Sequence, residues 1–293
     1  MIIDLKAHIY SLIAVFLALG IGILLGIGLG GTLSTEQKNI LARLEKDFNR
    51  YLEEKKTLQI SIQQKNHELE MSRQFNRTVL PYLIHDHLLG RKIAIIKTNS
   101  AFSDQAVKEI TATLELSGAR VVSTTRFMAD FIQATQEQPS ELAQAFHLQD
   151  MDAAGLTQEI LKQVADEIIL GLGHQKLNYL QEKDFVRLWG SYIRPVDSIV
   201  ILGGAPDETS NYALKLDTLL INALKKYNVY IIAGEYLQSG SSYIPYYRKK
   251  SVVTIDNLDT TPGQVAMVYS LSRGLRKGNF GIKESARSIL PDL

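Results

Sequence analysis

The sequence feature that most constrains the fold is an uncharged run near the N-terminus. Residues 7–35 are 29 consecutive positions without Lys, Arg, Asp or Glu. Because about 20 apolar residues in a helix cross a bilayer core, the run predicts one transmembrane helix over 9–33, after a tail of residues 1–8. A cleavable signal peptide is the alternative, since Lys6 precedes the run. The run is longer than the usual apolar segment of a signal peptide, about 7–15 residues, so we expect an uncleaved anchor.

Small residues recur at every fourth position of this run. Positions i and i+4 lie on the same side of a helix, and small side chains there allow a second backbone to approach closely. The spacing therefore predicts that the helix self-associates in the bilayer. The small residues are Ala14, Ala18, Gly22, Gly26 and Gly30.

Charges beside the predicted span bear on which side of the membrane holds the rest of the chain. Only Lys6 and the terminal amine precede the span, whereas Lys38, Arg43, Lys46 and Arg50 follow it. Positive residues favour the cytoplasmic side, so this count alone places the remainder in the cytoplasm. The absence of cysteine is compatible with an oxidising exterior but does not decide the orientation.

Residues 34–80 are polar with regularly spaced apolar residues, and no proline occurs before Pro81. This pattern predicts a long helix, and a heptad register places mostly apolar residues at its a and d positions. We expect a coiled-coil stalk that makes the protein a homodimer, with Lys55, Lys65 and Asn76 fixing the register. The alternative is a single amphipathic helix lying on its own domain. The predicted dimer contacts are Leu41, Leu44, Phe48, Tyr51, Leu58, Ile62 and Leu69, with Val79 completing the apolar seam.

From Pro81, which is expected to end the helix, residues 81–293 alternate between short aliphatic runs and helical patterns. Such alternation predicts an α/β globular domain, a small doubly wound parallel sheet with helices on both faces. Strands are expected at 92–97, 120–123, 198–202, 229–233 and 252–255. Helices are expected at 103–116, 128–145, 156–189, 212–227 and 262–275.

Ligands of such a sheet bind where the strands end at their carboxyl ends. Asn99, Gly203-Gly204, Glu235 and Asp256 follow predicted strands. A diglycine before a helix can present N–H groups to an anion, but Ser, Asn and Asp there are more often helix caps, and Gly usually serves a turn. Dinucleotide, phosphate-loop, nucleophile-elbow and zinc-protease motifs are absent from the sequence, so we expect no enzyme and no cofactor of those classes. A net charge of +1 without a basic stripe argues against a nucleic-acid partner.

His85-Asp86-His87 is the one compact set of metal-capable residues in the sequence. Two imidazoles and a carboxylate suit Cu(II), Ni(II) or Zn(II), whereas Cu(I) prefers thiolates or thioethers. His85 and His87 are therefore the candidate metal ligands. The alternative is that they are ordinary polar residues at the junction between helix and domain.

Three segments of the chain together resemble the MctB-like copper transport (outer membrane) protein family. They are the N-terminal run from Ile3 to Gly26, the segment Val253-Thr254-Ile255-Asp256-Asn257-Leu258-Asp259-Thr260 with Pro262 to Ala266, and the tail from Gly278-Asn279-Phe280-Gly281 to Pro291. The resemblance implies a membrane-associated cell-envelope protein of copper transport or homeostasis, with copper as the ligand and the globular domain outside the cytoplasm. It identifies no catalytic residues.

Two functions of different classes follow for this chain. In the first, it handles copper in the envelope, by similarity to the family. In the second, it is a dimeric, non-enzymatic scaffold whose stalk presents the α/β domain to another envelope protein.

Overall fold

The computed structural model describes residues 5–28, 35–99, 103–137, 139–148 and 151–292. The chain divides into two compact units, Met1–Ser72 and Arg73–Leu293. Helix α1 (Leu5–Gly28) lies in the first unit, and helix α2 (Thr35–Ile84) begins there.

Helix α1 confirms the predicted apolar N-terminal helix. Its segment Ile9–Gly26 has a mean hydropathy of 2.5 and is not buried, so by length and composition it suits a bilayer. The end of the predicted span, and Gly30 of the small-residue stripe, lie outside the described residues.

We expected helix α2 to end at Pro81, and this prediction is wrong, because the helix continues to Ile84. Proline lacks the N–H that would bond to the carbonyl of residue 77, a loss that usually breaks a helix. The last turn is held instead by its packing. Ile84 is fully buried in the core beside Leu88, and Leu83 accepts a hydrogen bond from the Tyr269 hydroxyl at 3.3 Å. Burial of an Ile side chain contributes about 1.5–3 kcal/mol, which offsets the missing bond.

The second unit confirms the predicted α/β class. Its helices are α3 (Asp104–Leu116), α4 (Ala129–Glu137), α5 (Pro139–Ala145), α6 (Ala153–Leu170), α7 (Gln175–Glu182), α8 (Thr218–Leu224), α9 (Ile244–Lys249) and α10 (Thr261–Ser272). A π-helical turn, Ala213–Asp217, precedes α8. Its strands are β1 (Lys92–Lys97), β2 (Arg120–Phe127), β3 (Val186–Gly190), β4 (Ser198–Gly203), β5 (Tyr230–Glu235), β6 (Val253–Ile255) and β7 (Gly278–Phe280).

The strands form one seven-stranded sheet in the order β3-β2-β1-β4-β5-β6-β7. All neighbours are parallel except β3, which runs antiparallel to β2. The chain leaves β1 toward β2 on one side and later returns to add β4 on the other, so the order reverses between β1 and β4. In an open α/β sheet this point is where a ligand crevice forms.

Each face of the sheet is covered by its own hydrophobic core. Ile96, Ile201 and Ile231 contribute to the core that contains α4 to α8. Ile95 and Val200 point to the other face, where α3 and α10 pack. Side chains alternate between faces along each strand, so one aliphatic run supplies both cores.

The single helix predicted over 156–189 is wrong, because this segment forms two helices, α6 and α7, and then strand β3. Helix α6 ends at Leu170. Its C-cap, Gly171, has a φ of 64°, and an added Cβ there would come within 2.4 Å of the Arg194 backbone. After α7, the chain pairs as β3 with β2, where Trp189 lies opposite Thr124. This cross-strand packing overrides the helical pattern at residues 186–189. Gly171 and Gly173 lie in the separate break between α6 and α7.

Candidate functional site

The polar residues that follow the strands meet at one edge of the sheet, as the topology predicts. Their side chains bond to residues of the segments that cover this edge. Asn99, after β1, donates its amide to the Tyr243 hydroxyl and to the Ser210 carbonyl, both at 2.8 Å. Tyr243 is fully buried, and burial raises the pKa of its hydroxyl, which keeps it neutral.

A buried carboxyl group, that of Asp217, lies at the same edge and is fully inaccessible. Its Oδ1 accepts hydrogen bonds from the Thr98 hydroxyl at 2.6 Å and from the Tyr247 hydroxyl. Its Oδ2 has no hydrogen-bond partner. Burial raises the pKa of Asp217 to about 7, although the two hydrogen bonds oppose the shift. Tyr247 has a pKa well above its usual value, so it donates to the carboxyl group.

Gly203, the last residue of β4, and Gly204 after it allow neighbouring side chains to pack closely against the end of the strand. A Cβ on Gly203 would lie 1.8 Å from the Tyr247 hydroxyl oxygen, and Gly204 has a φ of 86°. Glycine at these positions lets the tyrosine reach Asp217 across the end of the strand. The crevice between β1 and β4 is therefore filled by the side chains of the protein itself.

The C-terminal tail forms hydrogen bonds with the polar residues at the ends of β5 and β6. Asp256, after β6, accepts the backbone N–H groups of Ile282 and Lys283 at 2.9 and 3.1 Å. Lys283 also donates to the fully buried Glu235, the last residue of β5, at 2.6 Å. Gly281 allows this turn, because an added Cβ would overlap the Asp256 carboxylate. The tail residues that carry the family resemblance therefore hold the sheet edge closed.

The two predicted metal ligands follow the end of α2 and have different neighbours. The Nδ1 atom of His85 lies 3.1 Å from Asp86 Oδ2, and these side chains are 66% and 53% exposed. The ring of His87 lies against Tyr269, with the centroids 4.9 Å apart. Within the described ranges, the structure contains no cluster of three or more His, Cys, Asp or Glu that could hold a metal. The assignment of His85 and His87 stays a prediction.

The predicted dimer contacts have open surroundings in the described part of α1 and α2. An added Cβ on Gly22 or Gly26 would meet nothing within 4 Å. On α2, Leu44 is 63% exposed and Phe48 is 61% exposed. These faces are accessible to a second chain. Pairing itself stays a prediction.

Sequence reasoning missed the buried acid at Asp217 and a buried base at Lys97. Asp217 falls within an apolar helical pattern that gives no sign of its hydroxyl partners. Lys97 carries a usable signal, because a lysine that ends an aliphatic strand extends the buried row of Ile93 and Ile95.

Comparison with known proteins gives a full-length match. The profile of the family described as "Copper transport outer membrane protein, MctB" matches residues 2–291. The chain is also similar to the copper transporter MctB of Mycobacterium tuberculosis (strain H37Rv) and to that of Mycobacterium bovis. Each is 21% identical, and each alignment covers 98% of both chains. The chain belongs to the MctB copper transport outer membrane protein family.

Proposed function

We propose that this protein is an N-terminally anchored cell-envelope protein that acts in copper homeostasis without catalysing a reaction. The family match over residues 2–291 carries the proposal. The apolar helix Ile9–Gly26 supports the anchor. The closed sheet edge supports a non-enzymatic role, because its polar groups bond to one another rather than converging on an open cleft.

Copper binding is tested by calorimetric titration of the full chain in detergent with Cu(II). The heat of binding should be lost in the double variant His85→Ala/His87→Ala, because these imidazoles are the proposed ligands. The variant His67→Ala/His147→Ala removes two imidazoles elsewhere and should keep the heat. Equal heats in both double variants, or no heat in the wild type, would refute this ligand set.

We propose as a second candidate function that the protein is a dimeric scaffold, because α2 exposes an apolar row at heptad spacing. The row includes Leu41, Leu44, Phe48 and Tyr51, each more than half exposed. Apolar side chains at a and d positions are buried when a second helix packs against them. In this scaffold the α/β unit contacts a further envelope protein.

Single cysteines test the dimer, since the chain has none of its own. In native membranes, Leu44→Cys should crosslink efficiently, whereas Lys46→Cys, at the outward f position of the same heptad, should not. Gly22→Cys extends the test into the bilayer. If neither Gly22→Cys nor Leu44→Cys gives a paired species, the scaffold proposal is wrong.

The family resemblance favours an extracytoplasmic α/β unit, against the charge count. Gln181→Cys, at an exposed position of α7, should react with a membrane-impermeant maleimide in intact cells, and Lys6→Cys on the opposite flank should not. The reverse pattern would place the α/β unit in the cytoplasm.

A further inference from the structure

A groove lies beside α3 and is lined by residues of this helix and of β1, β2 and β3. Its volume is about 400 Å³, which falls within the range of small-molecule sites. Most of its exposed surface is apolar, from Val107, Ala112, Trp189 and the carbon stems of longer side chains. The charged residues of the lining are Lys97, Asp104, Lys108, Glu115 and Arg126.

The strand register builds the floor of this groove in two rows. Thr124 of β2 pairs with Ile95 on one side and with Trp189 on the other. Two residues further along, Arg126 pairs with Lys97 on one side and with Arg187 of β3 on the other. Residues two apart on a strand share a face, so a row that ends in an indole lies next to a row of three cations.

Lys97 and Arg126 share one carboxylate oxygen as their ionic partner. Asp104 Oδ1 lies 3.3 Å from Lys97 Nζ and 3.2 Å from Arg126 NH1. The Lys97 side chain is only 3% exposed, whereas that of Asp104 is 74% exposed, so the buried ammonium has a solvated counterion. Burial, followed by repulsion from Arg126, lowers the pKa of Lys97.

The other carboxylate of the lining is too distant to balance this charge. Glu115 lies eleven residues beyond Asp104 on α3, about 16 Å along the helix axis. At the Lys97 end, Lys97 and Arg126 share one carboxylate, Asp104, and the exposed Lys108 lies one turn further along α3. Arg187, the outer cation of the row, pairs with Asp184. Among the described residues, this end therefore carries an excess of positive charge that an added anion would balance.

We propose that the groove binds a small monoanionic carboxylate with an aromatic or branched aliphatic body. The carboxylate accepts hydrogen bonds from Lys97 and Arg126, and guanidinium groups suit carboxylate geometry. The apolar body lies between Val107 and Ala112 on one wall and the Trp189 indole on the other. This site is independent of the candidate copper ligands and of the dimer contacts.

Trp189 is the only tryptophan in the chain and is half exposed, so its fluorescence reports directly on the groove. The probe is sodium 4-phenylbutyrate, titrated into the full chain in detergent and compared with the neutral 4-phenylbutyramide. The carboxylate should change the Trp189 emission in a saturable manner. The amide should bind at least about tenfold more weakly, because it forms no charge-assisted hydrogen bonds.

Two charge-removing variants locate the anion. Lys97→Met and Arg126→Gln should each weaken binding of the carboxylate probe by about tenfold or more. Neither variant should change the weak binding of the amide. Lys162→Gln, on α6 and paired with Glu159, loses the same charge outside the groove and should bind as the wild type does.

Three results would overturn the proposal. They are equal binding of amide and carboxylate, unchanged binding in Arg126→Gln, and no saturable emission change with the carboxylate. The first and third need only the wild-type chain, so the proposal can be refuted even if Lys97→Met does not fold.

Discussion

In the unit Met1–Ser72, every large apolar side chain that the structure describes is exposed; Leu52, the least exposed, is 45% accessible. In the unit Arg73–Leu293, two cores bury most of the large apolar side chains, and Ile95, Ile201 and Phe131 are fully inaccessible. The α/β unit thus supplies its own apolar environment. The helical unit does not, and its predicted apolar environments are lipid for α1 and a second helix for α2.

A matched pair of phenylalanines tests this difference most directly. Phe131→Ala should lower the free energy of unfolding of the α/β unit by about 3–5 kcal/mol, because it removes a buried ring and leaves a cavity. Phe48→Ala, on exposed α2, should change it by less than about 0.5 kcal/mol. Urea unfolding of the full chain in detergent, followed by Trp189 fluorescence, measures both. Similar losses from the two variants would mean that Phe48 packs into the α/β unit.

Ion pairs extend the comparison to charged residues. Lys283→Met should destabilise the α/β unit by about 3 kcal/mol, because it leaves the fully buried Glu235 without its cation. Lys65→Met removes the exposed partner of Glu68 on α2 and should have an effect below about 0.5 kcal/mol. The same unfolding measurement applies. A small loss for Lys283→Met would show that Ser242 and the Tyr243 N–H alone satisfy Glu235.

The sequence predicts best those elements whose own residues determine them. Strands β1, β4 and β5 are continuous aliphatic runs, and α3 begins at Ser103, whose hydroxyl accepts the Ala106 N–H at 3.0 Å. These predictions depend only on local pattern and capping.

The missed elements depend on contacts between distant parts of the chain. Trp189 is extended only because β2 lies beside it, and β7 is too short for periodicity to reveal. The candidate site follows the same rule. The strand ends could be placed at one edge of the sheet from the sequence. Tyr243 and Tyr247, which fill that edge, lie at the start of α9 and within it, and no pattern in the sequence indicates this short helix.

The buried carboxyl of Asp217 should make stability depend on pH in the α/β unit. Its folded pKa of about 7 lies above the ordinary value of 3.8, so the folded state holds a proton that the unfolded state has released. The stabilising effect of that proton is complete below pH 3.8 and is lost as the pH rises toward 7. In this window the contribution falls by about 1.4 kcal/mol per pH unit.

Asp217→Asn should remove this slope, since the amide stays neutral and its oxygen still accepts from Thr98. Asp207→Asn is the control, and it should keep the wild-type dependence of stability on pH between pH 4 and pH 8. Hydrogen bonds from Thr209 and Ser210 lower the pKa of Asp207, so its stabilising effect is lost only as the solution becomes more acidic than pH 3.8. Urea midpoints between pH 4 and pH 8 give the measurement. A slope in Asp217→Asn equal to that of the wild type would mean that another group titrates.

The smallest predicted effect concerns α2, the helix that begins in one unit and ends in the other. Pro81→Ala adds an N–H at a position where the carbonyl of residue 77 lacks its intrahelical donor, and it should raise the free energy of unfolding by about 1–2 kcal/mol. Part of the gain is offset because the unfolded chain becomes more flexible.

Pro139→Ala is the control for this prediction. Pro139 begins α5, where a helix needs no N–H, so no gain in stability is expected. If Pro81→Ala instead destabilises the protein, the bend that proline gives the last turn is needed to seat Ile84 in the core.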